Sequence, residues 1–149
     1  DGMEWANSPH RFEGGLDNYA GILGSSAAIE YLSEMDMNDI HEHETKLNSN
    51  LTEGVKDLHG ISIIGPQSAS KRGGICSMII EGFDPHELAI LLDETASIMV
   101  RSGMHCVHSW FRSRGHENGS LRASFYFYNT EEEVRNFVDI FGEIHSALF

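Results

Sequence analysis

Arg101-Ser-Gly-Met-His105-Cys106-Val-His108 sets a cysteine directly after one histidine and two residues before another, with an arginine five residues upstream. A cysteine reacts as its thiolate, and neighbouring cations favour that form. Arg101, with His105 and His108 when protonated, supplies such cations. Either histidine can also take or give a proton for a thiol nucleophile. Gly103 gives the backbone freedom to turn just ahead of the cysteine. The same octapeptide also reads as a small buried thiol beside chance histidines, in a chain with nine of them, because free cysteine behaves mostly as a small hydrophobe.

Two arginines invite a second kind of chemistry. Arg122 falls at an outward position of an alternating strand, where a guanidinium can hold a carboxylate in a two-pronged contact. It reads equally as a solvated strand arginine, and Arg101 carries the same two readings. Pro9-His-Arg-Phe-Glu13-Gly-Gly-Leu-Asp-Asn18 is a polar, Gly-paired turn ahead of a helix, a place where backbone N–H groups can meet an anion or simply turn the chain. His41, His43, Cys76, His105, Cys106, His108 and His116 supply nitrogen and sulfur, but their spacings match no zinc pattern, so no metal is expected. His41 and His43 lie two apart on a helix, point to different faces, and are expected in solvent.

The elements that must position these groups follow from periodicity. Leu16 to Met35 predicts a helix with a broad apolar surface suited to packing. Ile40, Leu47, Leu51, Val55 and Leu58 predict a second, from Asn38 to Leu58, ended by Gly60. Ile61–Ile64 and Ile75–Ile80 read as strands separated by a polar loop from Gln67 to Gly74, and should pair antiparallel because no crossover helix joins them. Asp84 as cap, Pro85 and Glu87 open a third helix, with Leu88, Leu91, Leu92 and Thr95 inward. Ile98–Val100 reads as a short strand running straight into the arginine–cysteine loop. Leu121–Tyr128 alternates, with Leu121, Ala123, Phe125 and Phe127 on the core side and Arg122 opposite. Thr130-Glu-Glu-Glu133 is a capping box for a last helix striped by Val134, Phe137, Val138, Phe141, Ile144 and Leu148. The expected fold is a small α/β domain of α+β character: a small sheet with antiparallel pairing and helices mainly on one face.

Composition narrows the partners. The 149 residues are enough for one domain with a real core. A formal charge of −13 repels phosphate backbones, so sequence-independent nucleic-acid binding is not expected. No apolar run reaches the length of a membrane span and no signal segment opens the chain, so no membrane partner is expected. Cys76 and Cys106 are the only cysteines and form no C-x-x-C pair, which points to a reducing cytoplasmic setting. Asp1-Gly-Met-Glu-Trp-Ala-Asn-Ser-Pro9 reads as a loop from within a longer protein.

Three segments, in order, together resemble one family. Arg101-Ser-Gly-Met-His105-Cys106 resembles the cysteine loop of second-group cysteine desulfurases and selenocysteine lyases. Leu121-Arg122-Ala-Ser-Phe-Tyr-Phe-Tyr-Asn129-Thr130 resembles the strand that carries that family's carboxylate-binding arginine. Arg11-Phe12-Glu13-Gly-Gly15, followed by Asn18, Gly21 and Ala27 to Leu32, resembles the segment that crosses the family's dimer interface toward the cofactor phosphate. The resemblance implies the C-terminal domain of a fold-type I, pyridoxal-phosphate-dependent enzyme of the class-V aminotransferase group. It implies Cys106 as the nucleophile that takes sulfur from cysteine, leaving alanine and a persulfide. It further implies His105 as its catalytic neighbour, Arg122 with Arg101 as carboxylate ligands, and Gly15 and Leu16 near the cofactor phosphate.

Two departures stand out. Leu16 occupies the position where the family usually has a threonine, and Met104 the position of the first of two histidines. No cofactor lysine is recognisable among Lys46, Lys56 and Lys71. The expectation is therefore residues 1–149 as a single C-terminal small domain, with 1–35 an interface segment and helix. The partners expected are a missing large cofactor domain, a second copy in a homodimer and a sulfur-acceptor protein of iron–sulfur cluster assembly. A catalytically diverged interaction or regulatory module is the alternative, and a small cysteine hydrolase a third.

Overall fold

The computed structural model describes residues 2–148 as two compact units, 2–36 and 37–148. In the first, a 3-10 turn at His10–Phe12 precedes helix α1, Tyr19–Ser33. Asn18 caps α1, its side-chain oxygen accepting from the Gly21 N–H at 3.0 Å. The helix therefore starts three residues later than Leu16. Its apolar residues Tyr19, Ile22, Leu23, Ile29 and Tyr31 are all more than half exposed, so the packed surface expected from the sequence has no cover here.

The second unit contains α2 (Met37–Val55), β1 (Ile61–Ile63), β2 (Ile75–Ile80), α3 (Pro85–Ala96), β3 (Arg101–Gly103), α4 (His108–Arg112), β4 (Ser120–Ser124) and α5 (Glu131–Leu148). The four strands form one antiparallel sheet in the order β1-β2-β4-β3. This is an α/β fold, with the hairpin of β1 and β2 as the sequence required.

Register decides which face each side chain takes. Met78 stands opposite Leu121 and Cys76 opposite Ala123, and these four side chains line the core face. Leu47, Leu51 and Val55 of α2, Leu88 and Leu92 of α3, and Phe137 and Phe141 of α5 pack down on it. Burying each large apolar side chain contributes about 1.5–3 kcal/mol. Ser77 stands opposite Arg122 on the other face. Arg122 is thus turned away from the core, as the period of two predicted.

Local chemistry sets the helix ends. Asp84 accepts from the His86 N–H at 2.7 Å and Pro85 takes the first helical position of α3. Glu133 accepts from the Thr130 N–H at 2.7 Å while Thr130 Oγ1 accepts from the Glu133 N–H at 3.1 Å, closing the capping box of α5. These bonds hold the Glu133 carboxyl below its ordinary range, the backbone bond to Thr130 first and the Asn129 amide next.

The loop from Gln67 to Gly74 is more than a polar connection. Asn48, fully buried on α2, donates to the carbonyls of Gly73 at 2.7 Å and Ile75 at 3.1 Å. Buried Arg72 donates to Thr52 Oγ1 and reaches Cys76 Sγ at 3.5 Å. Burial pushes the Cys76 thiol up, against the opposing pull of Arg72.

Four expectations are corrected. Ile98–Val100 is irregular and the strand is Arg101–Gly103, because only those residues find partners on β4. Ser97 ends α3 in a left-handed conformation, φ 55°, and Ile98 N–H bonds back to Leu92, which uses up the intervening chain. β4 stops at Ser124 rather than Tyr128, because Asn129 closes a turn by accepting from the Tyr126 N–H at 2.9 Å. Thr95 is exposed. His43 is half-buried rather than solvated, its Nε2–H donating to the Asn129 carbonyl at 2.8 Å.

Candidate active site

β3 and β4 form one edge of the sheet, and their outward side chains build the site. The register places Arg101 directly opposite Arg122 and Gly103 opposite Ser120. Like charges facing each other across two strands are unfavourable by a few tenths to about 1 kcal/mol. Neither guanidinium has a carboxylate within 4.0 Å among the described residues. The Arg122 Nε atom is buried without a hydrogen-bond partner. Two paired cations with an unfilled donor make a place for an anion.

Beyond β3 the chain turns sharply. Val107 N–H donates to the Met104 carbonyl at 2.8 Å across a four-residue turn. Its two central residues, His105 and Cys106, have φ of 48° and 66°. That is the mirror-image turn normally built from glycine or asparagine. A side chain in this region costs roughly 1–2 kcal/mol each. The strain is held by the neighbouring strands, and it presents Cys106 to solvent as a free thiol. The bland reading of a small buried thiol fits Cys76, which is fully buried, and not Cys106.

Close backbone approach locks the turn to β4. A Cβ at Gly119 would lie 2.2 Å from the Gly103 carbonyl carbon. Only glycine lets the chain return this near to the start of the turn. The intervening residues include α4, a five-residue helix that the sequence reading took as loop. Its Trp110 and Phe111 are adjacent rather than periodic, so no helical pattern announced it.

His105 is held on two sides. Its Nε2 lies 3.0 Å from Ser120 Oγ. The Phe111 ring sits 6.3 Å away at a tilt. Its Nδ1 is buried and unpartnered. Burial lowers the affinity of the ring for a proton below the ordinary histidine range, and the guanidiniums of Arg122 and Arg101 lower it further. The imidazole is therefore neutral near neutral pH.

The structure thus brings together Arg101, His105, Cys106 and Arg122 at one sheet edge. Gly15, with φ 135°, and Leu16, 87% exposed, belong to the first unit. Ser120 and Phe111 were missed in the sequence. Ser120 had a signal, since it lies two residues before Arg122 and so shares its face. Among the described residues no group of three or more metal-binding side chains gathers.

A model of the class-V aminotransferase family matches residues 1–137. The chain belongs to the class-V aminotransferases. Its relatives in this family include a "Probable cysteine desulfurase" of Xylella fastidiosa, 36% identical over 148 residues, 99% of this chain and 35% of the relative. Another of that name, from Pyrococcus abyssi, is 39% identical over 140 residues, 94% of this chain and 34% of the relative. Among solved structures, an apo cysteine desulfurase from Thermococcus onnurineus superposes with a TM-score of 0.87 at 37% identity, over 98% of this chain and 36% of that one. The Escherichia coli cysteine desulfurase CsdA, solved with an S-sulfonic acid, gives 0.82 at 27% identity, over 97% of this chain and 34% of that one. The chain spans about a third of the length of these class-V relatives.

Class-V aminotransferases imply pyridoxal phosphate, so the residues present must be tested for it. Lys46, on the outside of α2, pairs with Glu131 at 2.6 Å; Lys56, just past the end of α2, pairs with Glu53; and Lys71 is exposed in a 3-10 turn. None of them is on β3, β4 or the turn that carries Cys106, so the site has no lysine of its own to anchor the cofactor aldehyde. What it does offer is an exposed thiol on the turn after Arg101, two guanidiniums without a carboxylate partner among the described residues, and a neutral histidine.

Proposed function

We propose that this chain is the thiol-bearing C-terminal domain of a pyridoxal-phosphate-dependent cysteine desulfurase. One observation carries the reading: Cys106 is projected into solvent by a left-handed turn at the end of a strand whose Arg101 faces Arg122 with no carboxylate between them. Arg122, with its buried free Nε, receives the substrate α-carboxylate in a two-pronged contact, and Arg101 assists. The Cys106 thiolate attacks the substrate sulfur, forming an S–S bond as the carbon–sulfur bond breaks. Pyridoxal phosphate, when bound, supplies the sink for the electron pair left on the substrate carbon. That carbon then takes up a proton, giving alanine, and the sulfur stays on Cys106 as a persulfide. Neutral His105 next to it can accept the Cys106 thiol proton, and the nearby Arg122 and Arg101 disfavour the resulting imidazolium, so the proton is readily handed on to the substrate carbon.

The lysine and most of the cofactor site lie on polypeptide outside these 149 residues. The exposed apolar residues of α1, and the position of Gly15 and Leu16, fit a segment that a second copy of the enzyme covers. The persulfide passes to a sulfur-acceptor protein in a reducing cytoplasm.

The test joins this chain to a lysine-bearing large domain and measures alanine and persulfide from L-cysteine. Cys106→Ser should abolish both products while L-cysteine binding persists. Arg122→Gln should raise KM for cysteine about tenfold or more, from loss of a charge-assisted pair. Undiminished persulfide formation in the Cys106→Ser enzyme would reject the assignment.

A further inference from the structure

Ser120 is an odd residue to find fully buried on the outward face of β4. It shares that face with Arg122, yet its exposure is zero, with the His105 ring against its hydroxyl and the chain at Gly119 packed on Gly103 beside it. Its hydroxyl has a single side-chain contact, the 3.0 Å approach to Nε2 of His105. A buried hydroxyl is costly without a partner and modestly stabilising with one.

His105 is neutral, so it carries one N–H and one bare nitrogen. The two choices are unequal. With the proton on Nε2, Ser120 Oγ accepts it and the donor is satisfied. With the proton on Nδ1, a buried N–H would point at nothing, since Nδ1 has no partner. Orphaned buried N–H groups are rarer and less tolerated than under-used acceptors. A weaker hydrogen bond from the ring to the Ser120 backbone raises its proton affinity slightly and acts in the same direction.

We propose that Ser120 is a positioning residue: it takes the Nε2 proton of His105, fixes ring and tautomer, and so leaves Nδ1 as a bare, water-shielded acceptor one residue before Cys106. The Phe111 ring lies 6.3 Å from the imidazole at a tilt, and Nδ1 itself is buried. The charged groups facing the ring are Arg122 and Arg101, and both oppose its protonation. This role rests on the reading of Cys106 as sulfur acceptor, because a bare nitrogen there serves proton transfer during persulfide formation.

The decisive readout needs no cofactor. In this 149-residue chain, nitrogen NMR of His105 should show a pyridine-type Nδ1 and a pyrrole-type Nε2. Ser120→Ala should average the two nitrogens and move the titration midpoint of His105 downward, because the imidazolium loses the acceptor of its Nε2 proton. Ser120→Thr, which keeps the hydroxyl, should restore the original pattern. If Ser120→Ala does not fold, Ser120→Cys, similar in size and a poor acceptor, is measured in its place with the same expectation. Unchanged nitrogen shifts and midpoint in the variant without the hydroxyl overturn the proposal. In the complete enzyme the Ala variant should lose about 5–10-fold in kcat with KM held, the scale of one hydrogen bond. An inactive complete enzyme with Ser120 intact would instead sink the desulfurase reading, while the nitrogen shifts still decide the role of Ser120.

Discussion

Gly119→Ala is expected to damage the thiol turn far more than the same change at its neighbours. Gly119 has φ 81°, and an added Cβ would stand 2.2 Å from the Gly103 carbonyl carbon, 2.3 Å from its oxygen and 2.7 Å from the Met104 nitrogen. All three are backbone atoms, so no side chain can swing aside. Ordinary contact begins at 3.4 Å, and the strands must open by about 1.2 Å to reach it. The left-handed backbone alone costs about 1–2 kcal/mol for an alanine. Forcing packed atoms apart adds about 1–3 kcal/mol. The total is about 2–5 kcal/mol.

Gly115 provides the control. Its φ is 73° and nothing lies within 4 Å of its hypothetical Cβ. Gly115→Ala should therefore show the backbone cost alone, about 1–2 kcal/mol. Urea unfolding of both variants isolates the close approach as the difference in midpoint at equal slope. The opening should also pull Ser120 from His105 and change the alkylation rate of Cys106. Gly119→Ala and Gly115→Ala matching within about 0.5 kcal/mol, near the scatter between independent sites, would refute the argument.

Iodoacetamide should modify one thiol per native chain, at exposed Cys106, and a second at buried Cys76 only in denaturant; two labels in the native state would contradict the burial. Because burial lowers the folded-state proton affinity of His105, the unfolded chain binds that proton more tightly. Stability from this group is thus fully present above about pH 6.5 and declines as pH falls through the lowered folded value. His105→Asn, a residue that tolerates positive φ, should flatten that part of a stability–pH profile, and an unchanged slope would count against it. Gly54→Ala should cost about 1–3 kcal/mol, since its Cβ would meet Val138 Cγ1 at 2.4 Å where α2 crosses α5. Val138→Ala should relieve most of that strain in the double variant; simple additivity would show that the two sites do not touch.

What was legible in the sequence was whatever a short run of residues decides by itself. β2 spans Ile75–Ile80 as read, because a short apolar run rich in β-branched isoleucine and set between polar turns marks a strand by itself. The Asp84–Pro85 start of α3 and the Thr130–Glu133 box are likewise local hydrogen bonds between residues two or three apart. β3 was misplaced by three residues because a strand at a sheet edge is defined by its partner. Ser97 and Ile98, which finish α3, could not be read as a cap from residue types that seldom take that conformation. The apolar residues of α1 announced a helix correctly but said nothing of what covers it.

The site shows the same division with a further step. Its members were nameable from the sequence, yet the feature that makes them a site was not. Cys106 is a poor candidate for left-handed backbone, and two such residues in succession are seldom found without glycine or asparagine. The turn exists because Gly103 and Gly119 let two chains touch and because Ser120 and Phe111 hold the ring of His105. About 2–4 kcal/mol of local strain is thereby concentrated on His105 and Cys106. The strained turn holds the thiol outward on the loop after Arg101, and neither Arg101 nor Arg122 finds a carboxylate among the described residues. The energetic cost of the turn and the exposure of its thiol thus have one origin, and it lies in the strand pairing behind Cys106 rather than in the residues around it.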